Sequence, residues 1–148
     1  MKITRNEVEA ELKAMWPDLE YVWLFDKGFW KGTRDQVERL MEKSKLRDMQ
    51  FVNEFFDCDD FAAQFKEEIR RTRYYAWKDG LFGDDPPVPY AVFFAAGDMF
   101  RGVGEVHAVN LFLLRDPEPG LWIVDMTPQE RIIWKADPKM DNVYFVSS

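Results

Sequence analysis

The sequence predicts an α+β domain, with N-terminal helices packed on a largely antiparallel β-sheet. Three observations carry this expectation. Apolar residues recur at helical spacing in residues 8–16, 37–41 and 58–69. Five β-rich runs follow Tyr90, and turn signals such as Asp116-Pro117-Glu118-Pro119-Gly120 separate them. Helices first and consecutive strands second is the pattern of an α+β fold. The chain has 148 residues, with 6 Trp, 5 Tyr and 13 Phe, so one domain over 1–148 can fill a core without disulfide staples.

Each element has a local reason. Thr4 and Glu7 have capping-box spacing, and Val8, Leu12, Met15 and Trp16 continue a helix until Pro17 ends it. Tyr21 to Phe25 is a short β-rich run turned by Lys27-Gly28. Thr33 and Gln36 form a second capping box, opening a helix through Val37, Leu40 and Met41 to about Lys45. After Met49 to Phe56, a long helix is headed by Cys58. Phe61, Ala62, Phe65 and Ile69 form its inner stripe, and it ends by Gly80. Phe82 to Pro89 reads as a loop. The expected strands are Tyr90 to Ala96, Glu105 to Leu114, Leu121 to Met126, Arg131 to Lys135 and Val143 to Val146.

Charge and composition exclude several classes. The 20 Lys and Arg against 27 Asp and Glu leave a net charge of −7, opposite to the basic face that nucleic-acid binding needs. No apolar stretch is long enough to span a bilayer, so no membrane partner is expected. The lone cysteine has no intramolecular partner and the first residues lack a signal-like apolar core. A cytoplasmic location is the expectation.

The only Cys, the only His and a carboxylate on an apolar strand occur in the order Cys58, His107, Asp125. A thiol is nucleophilic as its thiolate, a form favoured by a helix N-terminus and an adjacent imidazole. A carboxylate on the second ring nitrogen would hold the tautomer and stabilise the imidazolium. The alternative for each residue is structural: a core thiol, a satisfied strand histidine and a turn-capping aspartate.

Asp-Cys-Asp-Asp-Phe-Ala at 57–62, His-Ala-Val-Asn-Leu-Phe at 107–112 and Trp-Ile-Val-Asp at 122–125 resemble the papain-like and transglutaminase-like cysteine peptidase group. Within it the chain looks most like the C-terminal peptidase domain of Marasmius-type agglutinins and its phage and bacterial homologues. The resemblance covers roughly residues 50–135 and implies a papain-like fold, with Cys58 as nucleophile and His107 as general base. Asp125 is the third member on the transglutaminase-like pattern. The agglutinin-type pattern places an acid directly before Pro-Gln, where this chain has Thr127 before Pro128-Gln129. It also implies calcium or manganese beside the site, with Asp59, Asp60 and Gln129 as candidate ligands. Papain-like sites add an upstream amide to the oxyanion hole, and Gln50 and Asn53 are the candidates.

The expected function is a thiol hydrolase of cysteine-peptidase type, acting on a peptide or protein through a covalent acyl-enzyme with a Cys58-His107-Asp125 catalytic triad. The other expectation is a noncatalytic papain-like interaction module that holds a partner protein. Asp57, Asp59 and Asp60 favour it, because like charge opposes thiolate formation.

Overall fold

A computed structural model describes residues 1–54, 56–83 and 87–148. Phe55 in the run Met49 to Phe56, and residues 84–86 of the expected loop, lie outside the described residues. The chain opens with strand β1 (Lys2–Thr4), which runs directly into helix α1 (Arg5–Met15). Thr4 makes that junction abrupt. Its hydroxyl accepts from the Glu7 amide at 3.2 Å while the Glu7 carboxylate accepts from the Thr4 amide at 2.8 Å. Two short strands follow, β2 (Tyr21–Trp23) and β3 (Gly28–Trp30). Helix α2 (Arg34–Lys43) starts at the Thr33–Gln36 capping box, and a 3-10 turn at Lys45–Asp48 leads toward α3 (Cys58–Lys78). The rest is strand: β4 (Val92–Phe100), β5 (Val103–Leu114), β6 (Gly120–Asp125), β7 (Ile132–Lys135) and β8 (Asn142–Ser147).

Six strands form one sheet in the order β2-β8-β4-β5-β6-β7, and β1 pairs with β3 in a separate two-stranded sheet. This corrects the expected papain-like arrangement of N-terminal helices on a largely antiparallel sheet. The large sheet is mixed, because β2 runs parallel to β8 with Tyr21 beside Phe145. Strands β1 to β3 are also interleaved with the helices, so the chain does not divide into a helical half and a β half. The physical reason is range. Capping boxes and apolar periodicity act over a few residues, whereas a three-residue strand is defined only by a partner, here more than a hundred residues away.

Alternation along the strands builds two cores, one on each face of the sheet. Phe93, Val109, Leu111, Leu113 and Ile123 face α1 and the small sheet, with Val8, Leu12 and Phe29 fully buried among them. Val92, Phe112, Leu114, Trp122 and Val124 face α2 and α3, where they meet Val37, Phe61, Phe65 and Ile69. Each buried Phe contributes about 2–3 kcal/mol from apolar area alone. Strand β4 is irregular near Gly97, where the backbone pairing to both neighbours shifts. A Cβ there would lie 2.1 Å from the Asn142 carbonyl oxygen, so the close approach of β8 requires glycine.

Candidate functional site

The site forms where three elements converge. Helix α3 presents Cys58 as its first residue, and its N-terminus is fixed by the Asp57 amide donating to the Asp60 carboxylate at 3.1 Å. Strand β5 carries His107 and β6 ends on Asp125. The β5–β6 register sets Asn110 opposite Val124, which brings the end of β6 alongside the middle of β5. Asn110 also ties helix to sheet. Fully buried, it donates to the Ala62 carbonyl oxygen of α3 at 2.8 Å.

His107 Nε2 lies 2.6 Å from Asp125 Oδ2. The other oxygen of Asp125 accepts from the Thr127 amide at 2.9 Å and from its hydroxyl at 2.7 Å. Thr127 therefore holds the carboxylate that holds the imidazole, which explains why an acid is found at 125 and a hydroxyl at 127. Cys58 is the other group that raises the pKa of His107, and the two line the same cleft. The Phe100 ring meets the imidazole edge-on at 6.0 Å between centroids.

The electrostatics follow from this pairing. His107 is pushed up to about 10, first by its hydrogen bond to Asp125 and then by Cys58, against the opposing effect of burial. Burial would raise Asp125, but its hydrogen bonds to His107 and Thr127 hold it below the usual carboxylate range. At neutral pH the pair is imidazolium and carboxylate. A cysteine sulfur lining the cleft beside an imidazole has the parts to attack an electrophilic carbon, with the ring supplying a proton.

These residues line a cleft of about 460 Å³. Asn53 and Gln129 lie on its wall with Cys58, His107, Asp125 and Thr127, whereas Gln50 does not line it. Of the expected cation ligands, Asp60 is occupied with the start of α3, and Asp59 clusters with Asp57 and Cys58, their ligand atoms within 4.8 Å of one another. The hydrogen bond between the Asp57 and Asp59 carboxyls holds Asp57 down and Asp59 up. Two carboxylates offer at most four oxygens and the thiol none, against the six to eight that calcium takes, so further ligands would come from solvent or the cleft.

Sequence reasoning missed three further residues of the cleft lining, Phe100, Arg101 and Trp134. Arg101 lies 5.0 Å over the Trp134 ring and 2.6 Å from Glu130. The only local signal was Arg101-Gly102, a two-residue hairpin turn with φ of 51° and 77°.

No protein-family model and no curated protein matches the chain. Solved structures do. One is PSL1a in complex with E64, at 26% identity and a TM-score of 0.73, covering 99% of this chain and 50% of that one. Another is the Polyporus squamosus lectin bound to the human-type influenza-binding epitope Neu5Aca2-6Galb1-4GlcNAc, at 26% identity and a TM-score of 0.70, covering 99% and 49%. This chain thus spans about half the length of these neighbours. Its expected place in the papain-like and transglutaminase-like cysteine peptidase group, with the papain-like fold, peptide substrate and thiol-hydrolase activity, is corrected accordingly. The fold shared over nearly the whole chain is found in a lectin, a ligand-binding protein.

Proposed function

We propose that this chain is a ligand-binding module of a lectin-type protein, with its binding seat in the cleft at Cys58, His107 and Asp125. The observation that carries this reading is the convergence of α3, β5 and β6 on one concave site in a fold shared with ligand-bound structures. It takes the place of the hydrolase reading and keeps the other expectation, a module that holds a partner. Cys58 is proposed as the reactive atom of the seat, His107 as its proton partner and Asp125 as the group that keeps the ring charged. Asn53 stands on the same wall as a hydrogen-bonding amide.

The experiment is a titration with E64 and, separately, with Neu5Aca2-6Galb1-4GlcNAc, the ligands of the two neighbours. Binding is followed by intact mass and by the NMR signals of His107, the only histidine in the chain. E64 is expected to shift these signals and to protect Cys58 from iodoacetamide. A native protein whose His107 signals and Cys58 alkylation respond to neither ligand would refute the seat.

A second reading, carbohydrate recognition, draws on the sialylated epitope held by the lectin. Phe51, Phe100 and Trp134 in the cleft walls offer the aromatic faces on which sugar rings stack. A response of His107 to the trisaccharide would support it. For the cation, we propose only weak binding at Asp57 and Asp59 completed by other oxygens. Calcium should raise the melting temperature of the wild type and not of Asp59→Asn.

A further inference from the structure

The charges around the cleft do not cancel. Asp125 is matched by His107 at 2.6 Å and Glu130 by Arg101 at 2.6 Å. Glu105 and Asp57 also line the cleft, and among the described residues neither has a cationic partner. Glu105 is exposed, stands two residues before His107 on β5 and lines the same cleft, in a stretch where the pairing of β5 with β4 is irregular. The positive groups of the site are already committed to carboxylates, whereas Glu105 and Asp57 leave unmatched negative charge in its lining. The chain as a whole, at −7, adds to that field.

We infer that the cleft selects a ligand that carries a positive charge, an amine or a guanidinium, and that Glu105 is the residue that reads it. This rests on the proposed seat and names the class of ligand it takes. An anionic ligand meets the same field with the opposite sign, so a sialylated sugar is disfavoured in this cleft relative to a cationic ligand of equal size. The selection is electrostatic and graded. Each uncompensated charge near a protein surface changes the local concentration of an ion by about fivefold at low salt, and salt screens it over about 10 Å at 0.1 M.

The single cysteine makes this measurable. Second-order rates of Cys58 modification are taken with three methanethiosulfonates: a cationic aminoethyl, a neutral methyl and an anionic sulfonatoethyl reagent. The buffer contains EDTA, and each rate is divided by that of 2-mercaptoethanol. The expected normalised cation-to-anion ratio in the wild type at low salt is about 25-fold, because one uncompensated charge acts about fivefold in opposite directions on the two ions. It should fall at least threefold in Glu105→Gln and in 0.5 M salt, and rise in Arg101→Gln, which frees Glu130. A wild-type ratio at or below one, or a ratio unchanged in Glu105→Gln, overturns the inference. If the neutral reagent still modifies native Cys58 and E64 still blocks it, the seat stands and only the charge selection falls. If even the neutral reagent fails on native protein, both fall together.

Discussion

His107 shows how one residue's environment sets a measurable property. Its titration above the ordinary range depends first on Asp125, so Asp125→Asn is expected to return it toward 6.5, read directly from the pH dependence of the single histidine's NMR signals. The same shift couples to stability. A group raised in the folded state stabilises the fold fully below its unfolded value, and that contribution is lost as pH rises from 6.5 through about 10. Chemical denaturation should show a midpoint that declines over this window in the wild type and much less in His107→Ala. Asp125 acts in the opposite direction, since its lowered value stabilises above the ordinary carboxylate range and fails in acid. Asp141 is a second buried carboxylate. It accepts from the amides of Arg101 and Asp137, both at 2.9 Å, and from the Trp134 indole at 3.2 Å. Asp141→Ala would leave these donors unpaired and is expected to cost about 2–4 kcal/mol in urea unfolding while loosening the Arg101–Trp134 wall. Cys58, His107 and Asp125 could be singled out in the sequence because two of them are the sole residues of their type. Thr127, Phe100 and Trp134 could not, because a threonine or an aromatic becomes a site residue only through what folds against it.

At the scale of elements, capping boxes were the most legible feature. Thr4 with Glu7 and Thr33 with Gln36 start α1 and α2 as spacing alone predicts, since both partners lie within one turn. Thr33→Ala is expected to cost about 1 kcal/mol, seen as a shift of the urea midpoint without a change in slope. Strand ends were less legible. Strand β4 runs to Phe100 and β5 begins at Val103, so the hairpin turn at Arg101-Gly102 replaces a loop read between Ala96 and Glu105. The residues Gly97 to Gly104 lack a run of β-branched side chains, and their strand conformation comes from pairing. Gly97→Ala tests this. With the Asn142 carbonyl oxygen 2.1 Å from the new Cβ, it is expected to destabilise by ~3 kcal/mol, and amide exchange should accelerate first in β4 and β8.

At the scale of the whole molecule, one sheet carries a core on each face, and the cleft lies where α3, β5 and β6 meet. Phe93 in one core and Phe65 in the other are each at most 1% exposed. Truncating either to Ala is expected to cost about 3–5 kcal/mol in thermal or urea unfolding. Phe65→Ala should also slow Cys58 alkylation, because its core seats α3 against β5, whereas Phe93→Ala should not. No helix among the described residues is long and apolar enough to cross a membrane.

What the sequence determined by itself was local or compositional: the helix starts, the amphipathic stripe of α3, the net negative charge and the three polar residues most worth following. Those features depend on neighbours within a turn or on simple counts. The tertiary structure decided the rest. It put β8 between β2 and β4, made the sheet mixed and placed the likeness with a lectin rather than with the papain-like group. It also brought Arg101, Trp134 and Thr127 to the cleft and showed Asp60 committed to its own helix. Strand order, the partner of a short strand and the balance of charge across a cleft all depend on contacts between residues far apart in the chain. Such contacts leave no periodicity to read, because the free energy that selects them comes from burial and pairing that exist only once the chain has folded.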